Sequence, residues 1–366
     1  MPDDLGSPTP RELVLSALNH KETPRVPFSL GFGVNLPAKI SLTHYLGFNN
    51  TAQTDAYLLG FDDIRRISPP YAGPSNRSRV LPDGRTVDVW GVVREPVMYA
   101  VEGMYYEICH YPLGGINDAS ELEDYEWPNP DWFDYEAIPD TIRAINPDGK
   151  YAVLMGNGNI FETAWYMRGL EQTLTDLILN PDLAEAILKR VTAFYETYFD
   201  RALAAARGKI DIAFTADDLA GQEGMLFSPE LWRRMIKPLH KRLNNMLRGH
   251  GVKILYHTDG AAHSVLEDLI DMGIDCWEAV QMDARGMDAA ALKNAAGNRL
   301  AFHGGISVQQ LLPRGTPGEV RSEVASLVKI LGKGGGYIAA PSHAVQAGTP
   351  PENIAAMLEA ARPDKF

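Results

Sequence analysis

Eight short apolar runs, bounded by turn residues and mostly separated by amphipathic helical stretches, constrain this chain more than any other feature. They are Val26–Leu30, Asp63–Ile67, Tyr151–Met155, Ile210–Phe214, Val252–Tyr256, Ile274–Trp277, Leu300–Phe302 and Tyr337–Ala340. Runs this short suit strands buried on both faces, and a helix between successive runs returns the chain for parallel pairing. The alternation predicts an α/β fold, a (β/α)8 barrel of the TIM type, in one domain over residues 11–366. Residues 1–10 read as a disordered leader, and Thr9-Pro10 opens a helix over 11–20. The stretch Leu174–Ala206 is expected to form two helices broken at Asn180-Pro181. Residues 77–112 depart from the rhythm. Arg79–Leu81, Thr86–Arg94 and Tyr105–His110 pattern as antiparallel strands, the first two joined by Pro82-Asp83-Gly84. They predict a β-hairpin region inserted after the second strand, within an excursion spanning about 77–138. Such an excursion forms a lid or substrate wall, or else stands free in solvent.

Charge narrows the partners. The chain has 34 Lys and Arg against 47 Asp and Glu, a formal net charge of −13. That balance excludes a broad nucleic-acid or anionic-membrane surface, since both need a basic footprint. No apolar run is long enough to span a bilayer, and the N-terminus lacks a secretory h-region. The two cysteines, Cys109 and Cys276, form no CxxC pattern, so a cytoplasmic setting and a small-molecule substrate are expected. Trp127, Trp132 and Tyr135 leave room for a homodimer contact.

In a (β/α)8 barrel the reactive groups sit just past the C-terminal strand ends. That rule selects Asp217 and Asp218 after the fourth strand, and His257 and Asp259 after the fifth. It adds Glu278 and Gln281 after the sixth, His303 after the seventh and His343 after the eighth. His257, Asp259 and His343 converge as a divalent-metal set, most simply zinc, with Glu278 as a fourth oxygen donor. Without metal, the same groups serve as general acid and base. Asp217 is a further catalytic candidate, and Asp218, Gln281 and Asn157 are candidate substrate contacts. A hydrogen-bonded turn at His257-x-Asp259 and a capping role for the Asp217-Asp218 pair are the plain alternatives.

Five segments carry a resemblance: RELVLSALNHKETPRVPF (11–28), FSPELWRRMIKP (227–238), HTDG (257–260), FHGGI (302–306), and APSH with TPPENI (340–354). Together they resemble the uroporphyrinogen decarboxylase-like superfamily, which includes tetrapyrrole decarboxylases and cobalamin-dependent methyltransferases. The decarboxylases carry an Arg-rich segment after the first strand, and residues 29–39 here contain no arginine. The methylcobamide:coenzyme M methyltransferases hold zinc with a His-x-Cys-Gly and an Ala-Pro-Gly-Cys. This chain places Asp259 and His343 where those cysteines stand. The resemblance thus implies a methyltransferase-type branch with hard ligands in place of thiolates, suited to O-demethylation of a methoxylated or methylated molecule. It implies cobalamin supplied by a corrinoid partner protein. Decarboxylation of a small acid, and a non-catalytic ligand-binding barrel, remain open beside it.

Overall fold

The structure, a computed structural model, describes residues 7–99 and 103–366. The expected leader falls largely on residues 1–6, outside the described residues. Thr9 caps the first helix, Pro10–Leu18, through a reciprocal pair of bonds with Glu12. In chain order the strands are β1 (Ile64–Ile67), β2 (Arg79–Val80), β3 (Thr86–Val87), β4 (Val93–Tyr99) and β5 (Gly103–His110). They continue with β6 (Ala152–Asn159), β7 (Ile212–Ala216), β8 (Lys253–His257), β9 (Cys276–Val280), β10 (Ala301–Ile306) and β11 (Tyr337–Pro341).

Seven of them form one parallel sheet in the order β1-β6-β7-β8-β9-β10-β11. The expected first strand, Val26–Leu30, is reduced to a single bridge between Phe28 and Ala339. Its backbone still stitches the sheet edges together: Ser29 donates to Ala339 O at 2.9 Å, and Asp63 N–H donates to Phe28 O at 2.9 Å. The reason for the shortfall is chemical. Pro27 has no N–H to give, and the Phe28 N–H is taken by the Asp63 carboxylate at 2.8 Å. Asp63 is in turn clamped by Arg25 and Arg362.

Between β1 and β6 the chain builds a separate antiparallel sheet, β2-β3-β4-β5. The loop after it packs back onto the long helix Pro181–Ala206, with Phe133 4.9 Å and Tyr135 6.2 Å from the Tyr198 ring. Trp127, Trp132 and Tyr135 are half-buried. The break at Asn180-Pro181 separates helices Leu170–Leu179 and Pro181–Ala206.

Side chains alternate across a strand, and here the alternation is informative. One core cluster gathers Ile64, Leu154, Ile212, Phe214, Leu255, Cys276, Ala301 and Ile338 with Val14, Ala17 and Leu18 of the first helix. This is the inner face of the curled sheet, closed at its N-terminal end by that helix. Two residues further along β1, β8, β9 and β10, the same face carries Arg66, His257, Glu278 and His303. The inner face therefore changes from apolar to ionisable as the strands approach their C-terminal ends. The strands also run further than expected, so His257, Glu278 and His303 lie within them.

Candidate active site

Strand register explains the central contact. His257, the last residue of β8, pairs with Glu278 of β9, and its Nδ1–H donates to Glu278 Oε2. That bond turns Nε2 toward Asp218, whose Oδ1 lies 3.4 Å away. The following loop is pinned on both sides. Thr258 N–H donates to Glu278 O at 2.7 Å, Asp259 N–H to Asp218 Oδ1 at 3.3 Å, and Gly260 N–H to Gln281 Oε1 at 2.9 Å. Gly260 has φ +78°, and a Cβ there would sit 2.5 Å from two backbone oxygens, so the close crossing of the Ala220-Gly221 loop requires glycine.

The result is a group of three donors: Asp218, His257 and Asp259 offer ligand atoms that all lie within 4.8 Å of one another. This group differs from the expected set of His257, Asp259 and His343. Asp218, foreseen as a substrate contact, takes the place foreseen for His343. The His343 ring instead stacks on Phe32 at 4.9 Å, with its centroid 6.4 Å from that of His257. Glu278 lies outside this group: its Oε2 engages His257 and orients it, and its Oε1 is buried with no hydrogen-bond partner. Asp217 differs too. Its carboxylate accepts from Phe161 N–H and Glu162 N–H, both at 2.8 Å, and pairs with His240. Both side chains of that pair are 0% exposed, so Asp217 anchors the start of helix Ile160–Arg168 rather than meeting substrate. His240, on the helix Lys237–Gly249, is its buried counterpart.

Gln281 bridges Gly260 and Gln222 and lines a cavity of about 350 Å³ with Asp259, Ser342, His343 and Tyr105 of β5. The antiparallel sheet thus contributes a wall to the mouth. Asn157 lines a neighbouring cavity of about 310 Å³ with Arg66, Ser68, Phe32 and Phe214. The Phe32 ring, part of this second cavity, lies 5.0 Å from His257 and 6.0 Å from Phe214.

The ionisable groups perturb one another strongly. Burial works against a charge on His257, but Glu278, Asp218 and Asp259 outweigh it and hold the imidazole well above its ordinary value. Burial would raise the Glu278 and Asp218 carboxyls; the charge of His257 overrides it and lowers both. Asp259 is pushed up to about 7 by burial, with Asp218 and Glu278 adding repulsion. Burial lowers His303 to about 4 and, with the charge of His257, also lowers His343.

Glu162 was invisible in the sequence because it lies on a helix, far along the chain from the other donors. It is buried, accepts from Tyr166 at 2.7 Å and Asn159 at 2.5 Å, and is raised to about 8 by burial beside Asp218 and Asp217. A carboxyl raised above its ordinary 4.5 holds a proton that the unfolded chain releases, so its contribution to stability is lost as pH climbs toward 8. The slope is at most about 1.4 kcal/mol per pH unit. Glu162→Gln should remove this decline in the metal-free protein, read as urea midpoints from about pH 5 to 8. Parallel curves for the two proteins would contradict the assignment.

Against this geometry, a sequence model of the uroporphyrinogen decarboxylase (URO-D) family matches residues 110–363. The chain belongs to the uroporphyrinogen decarboxylase family. The matched stretch takes in Glu162, Asp218, His257, Asp259, Glu278, His303 and His343; Phe32 and Arg66 lie before it. Within the family, the chain is 26% identical over 248 residues to a methylated-thiol–coenzyme M methyltransferase of Methanosarcina mazei, covering 66% of this chain. It is 23% identical over 236 residues to a uroporphyrinogen decarboxylase of Coxiella burnetii, covering 62% of this chain. These matches span 62% and 61% of the relatives' own lengths. A solved structure of a methyltransferase from Methanosarcina mazei superposes with a TM-score of 0.67 at 19% identity, covering 98% of this chain and 100% of that one. The family fold is therefore shared from end to end. No helix among the described residues is long and apolar enough to cross a membrane.

Proposed function

We propose that this protein is a methyltransferase that removes a methyl group from an oxygen of a small molecule and passes it to a corrinoid carried by a partner protein. The observation that carries the reading is the Asp218, His257 and Asp259 group at the ionisable end of the inner face. The similarity to a methyltransferase of the same family points the same way. The donor set fits a divalent cation such as zinc: one imidazole, two carboxylates, and a buried Asp259 Oδ1 with no hydrogen-bond partner. When bound, the metal supplies Lewis acidity toward the oxygen that loses its methyl group. The corrinoid supplies the methyl acceptor.

The chain's own residues do the rest. Glu278 fixes the His257 ring through Nδ1 and leaves Nε2 directed at Asp218. In the metal-free state the His257 imidazolium meets the negative charge that develops on a departing oxygen. Glu162, protonated near neutrality, keeps one negative charge away from that place. Gln281 and Tyr105 wall the cavity on the His343 side.

The direct test is turnover of a panel of methyl ethers with a corrinoid protein, following cobalamin methylation by absorbance. Methylation that requires this chain supports the reading. Carbon dioxide release from a small acid without any corrinoid would replace it with the decarboxylase reading, which the uroporphyrinogen decarboxylase relatives keep in view.

A further inference from the structure

The second of the two cavities, that of Asn157, holds none of the acid–base or metal-holding groups. It is lined by Arg66, Ser68, Asn157, Phe32 and Phe214, and its Phe32 ring packs against His257 and His343. Arg66 is unusual within it. Its neighbour on β1, Arg65, spends its guanidinium on the Asp62, Ile64 and Leu59 carbonyls. Arg66 has no hydrogen bond or ion pair among the described residues; it lies 5.9 Å from the Phe214 ring and is exposed. It shares the inner face with Ile64, which directs it into the mouth. Its charge nonetheless reaches Glu278 and His303 and depresses both.

An exposed arginine fork held over an aromatic ring, with a hydroxyl and an amide beside it, is a ready carboxylate receptor. Elsewhere the mouth would repel an anion, because the Asp218 and Glu278 carboxylates are gathered there. Both the Arg66 guanidinium and the His257 ring lie against Phe214, at 5.9 and 6.1 Å from its centroid. Phe214 is thus a common neighbour of the two groups. We propose that Arg66, with Ser68 and Asn157, binds the carboxylate of the substrate, and that the substrate is a small methoxylated aromatic acid whose ring lies beside Phe32 and Phe214. The proposal rests on the functional reading above in taking this mouth as the substrate site.

The test is calorimetric binding of the three methoxybenzoate isomers and the three corresponding methoxybenzamides to the full chain, with no corrinoid protein present. At least one acid should bind roughly tenfold or more tightly than its neutral amide. Arg66→Gln should weaken that acid roughly ten- to a hundredfold and leave the amide within about twofold. Arg66→Lys keeps the charge without the fork and should lose less. Acids that bind no better than amides, no binding by any of the acids, or equal weakening of both by Arg66→Gln would overturn the subsite. The acid preference in the unmodified chain tests it even if a variant fails to fold. Because binding is read without turnover, absence of methyl transfer with the acid preference intact would remove the functional reading and leave the subsite standing.

Discussion

His257→Ala should lower turnover by about a thousandfold or more, the range seen when a preorganised electrostatic group is removed from a reacting oxygen. The residue has three simultaneous partners in this mouth: Glu278 on Nδ1, Asp218 near Nε2, and the Phe32 ring at 5.0 Å. Its loss removes a donor from the three-residue group and frees Glu278, a buried carboxylate, from the charge that lowers it. Glu278→Gln should cost less, roughly ten- to a hundredfold, because it disturbs the orientation of His257 and leaves the donor in place. Steady-state rates for the two variants separate the roles. Equal losses would mean that Glu278 meets substrate itself.

The second large effect concerns stability. Asp217→Ala should destabilise the fold by about 3–5 kcal/mol, the cost of removing a buried side chain that two backbone N–H groups and a buried imidazole contact. It would strand His240 and leave the Phe161 and Glu162 N–H groups without acceptors at the start of their helix. Against a typical total of about 5–15 kcal/mol this is severe. The adjacent Asp218→Ala should behave in the opposite way. That side chain is 40% exposed and its contacts lie in the mouth, so activity should fall while the urea midpoint moves little. Matching urea midpoints for the two variants would contradict this division of labour.

The Asp217-Asp218 pair shows how far the sequence could be read. Strand-end reasoning located both residues at the mouth, yet neighbouring residues leave a strand in different directions, and one became an anchor and the other a donor. His257 and Asp259 were legible because a two-residue spacing at a strand end survives any reasonable error in strand bounds. His343 was legible in place but not in partner, since its ring is set by Phe32, a residue about three hundred positions earlier along the chain with no motif to mark it. Glu162 and His240 sit on helices whose faces toward the mouth depend on packing that no local pattern records. The seven parallel strands followed from alternation alone. The first run, Val26–Leu30, failed as a strand because Pro27 and the Asp63 carboxylate removed two of its N–H groups from pairing. Arg66 was passed over because an arginine on a strand reads as surface unless the inner face is known to turn polar beside it.

The three-donor group is best tested by elemental analysis of the purified chain alongside His257→Ala and Asp218→Ala. The expected result is about one divalent metal per chain in the unmodified protein, lost in both variants, as removal of a ligand from a three-donor site requires. Metal retained in both variants, or a metal-free protein that still transfers methyl groups at full rate, would contradict the assignment of Asp218, His257 and Asp259 as the metal-holding centre.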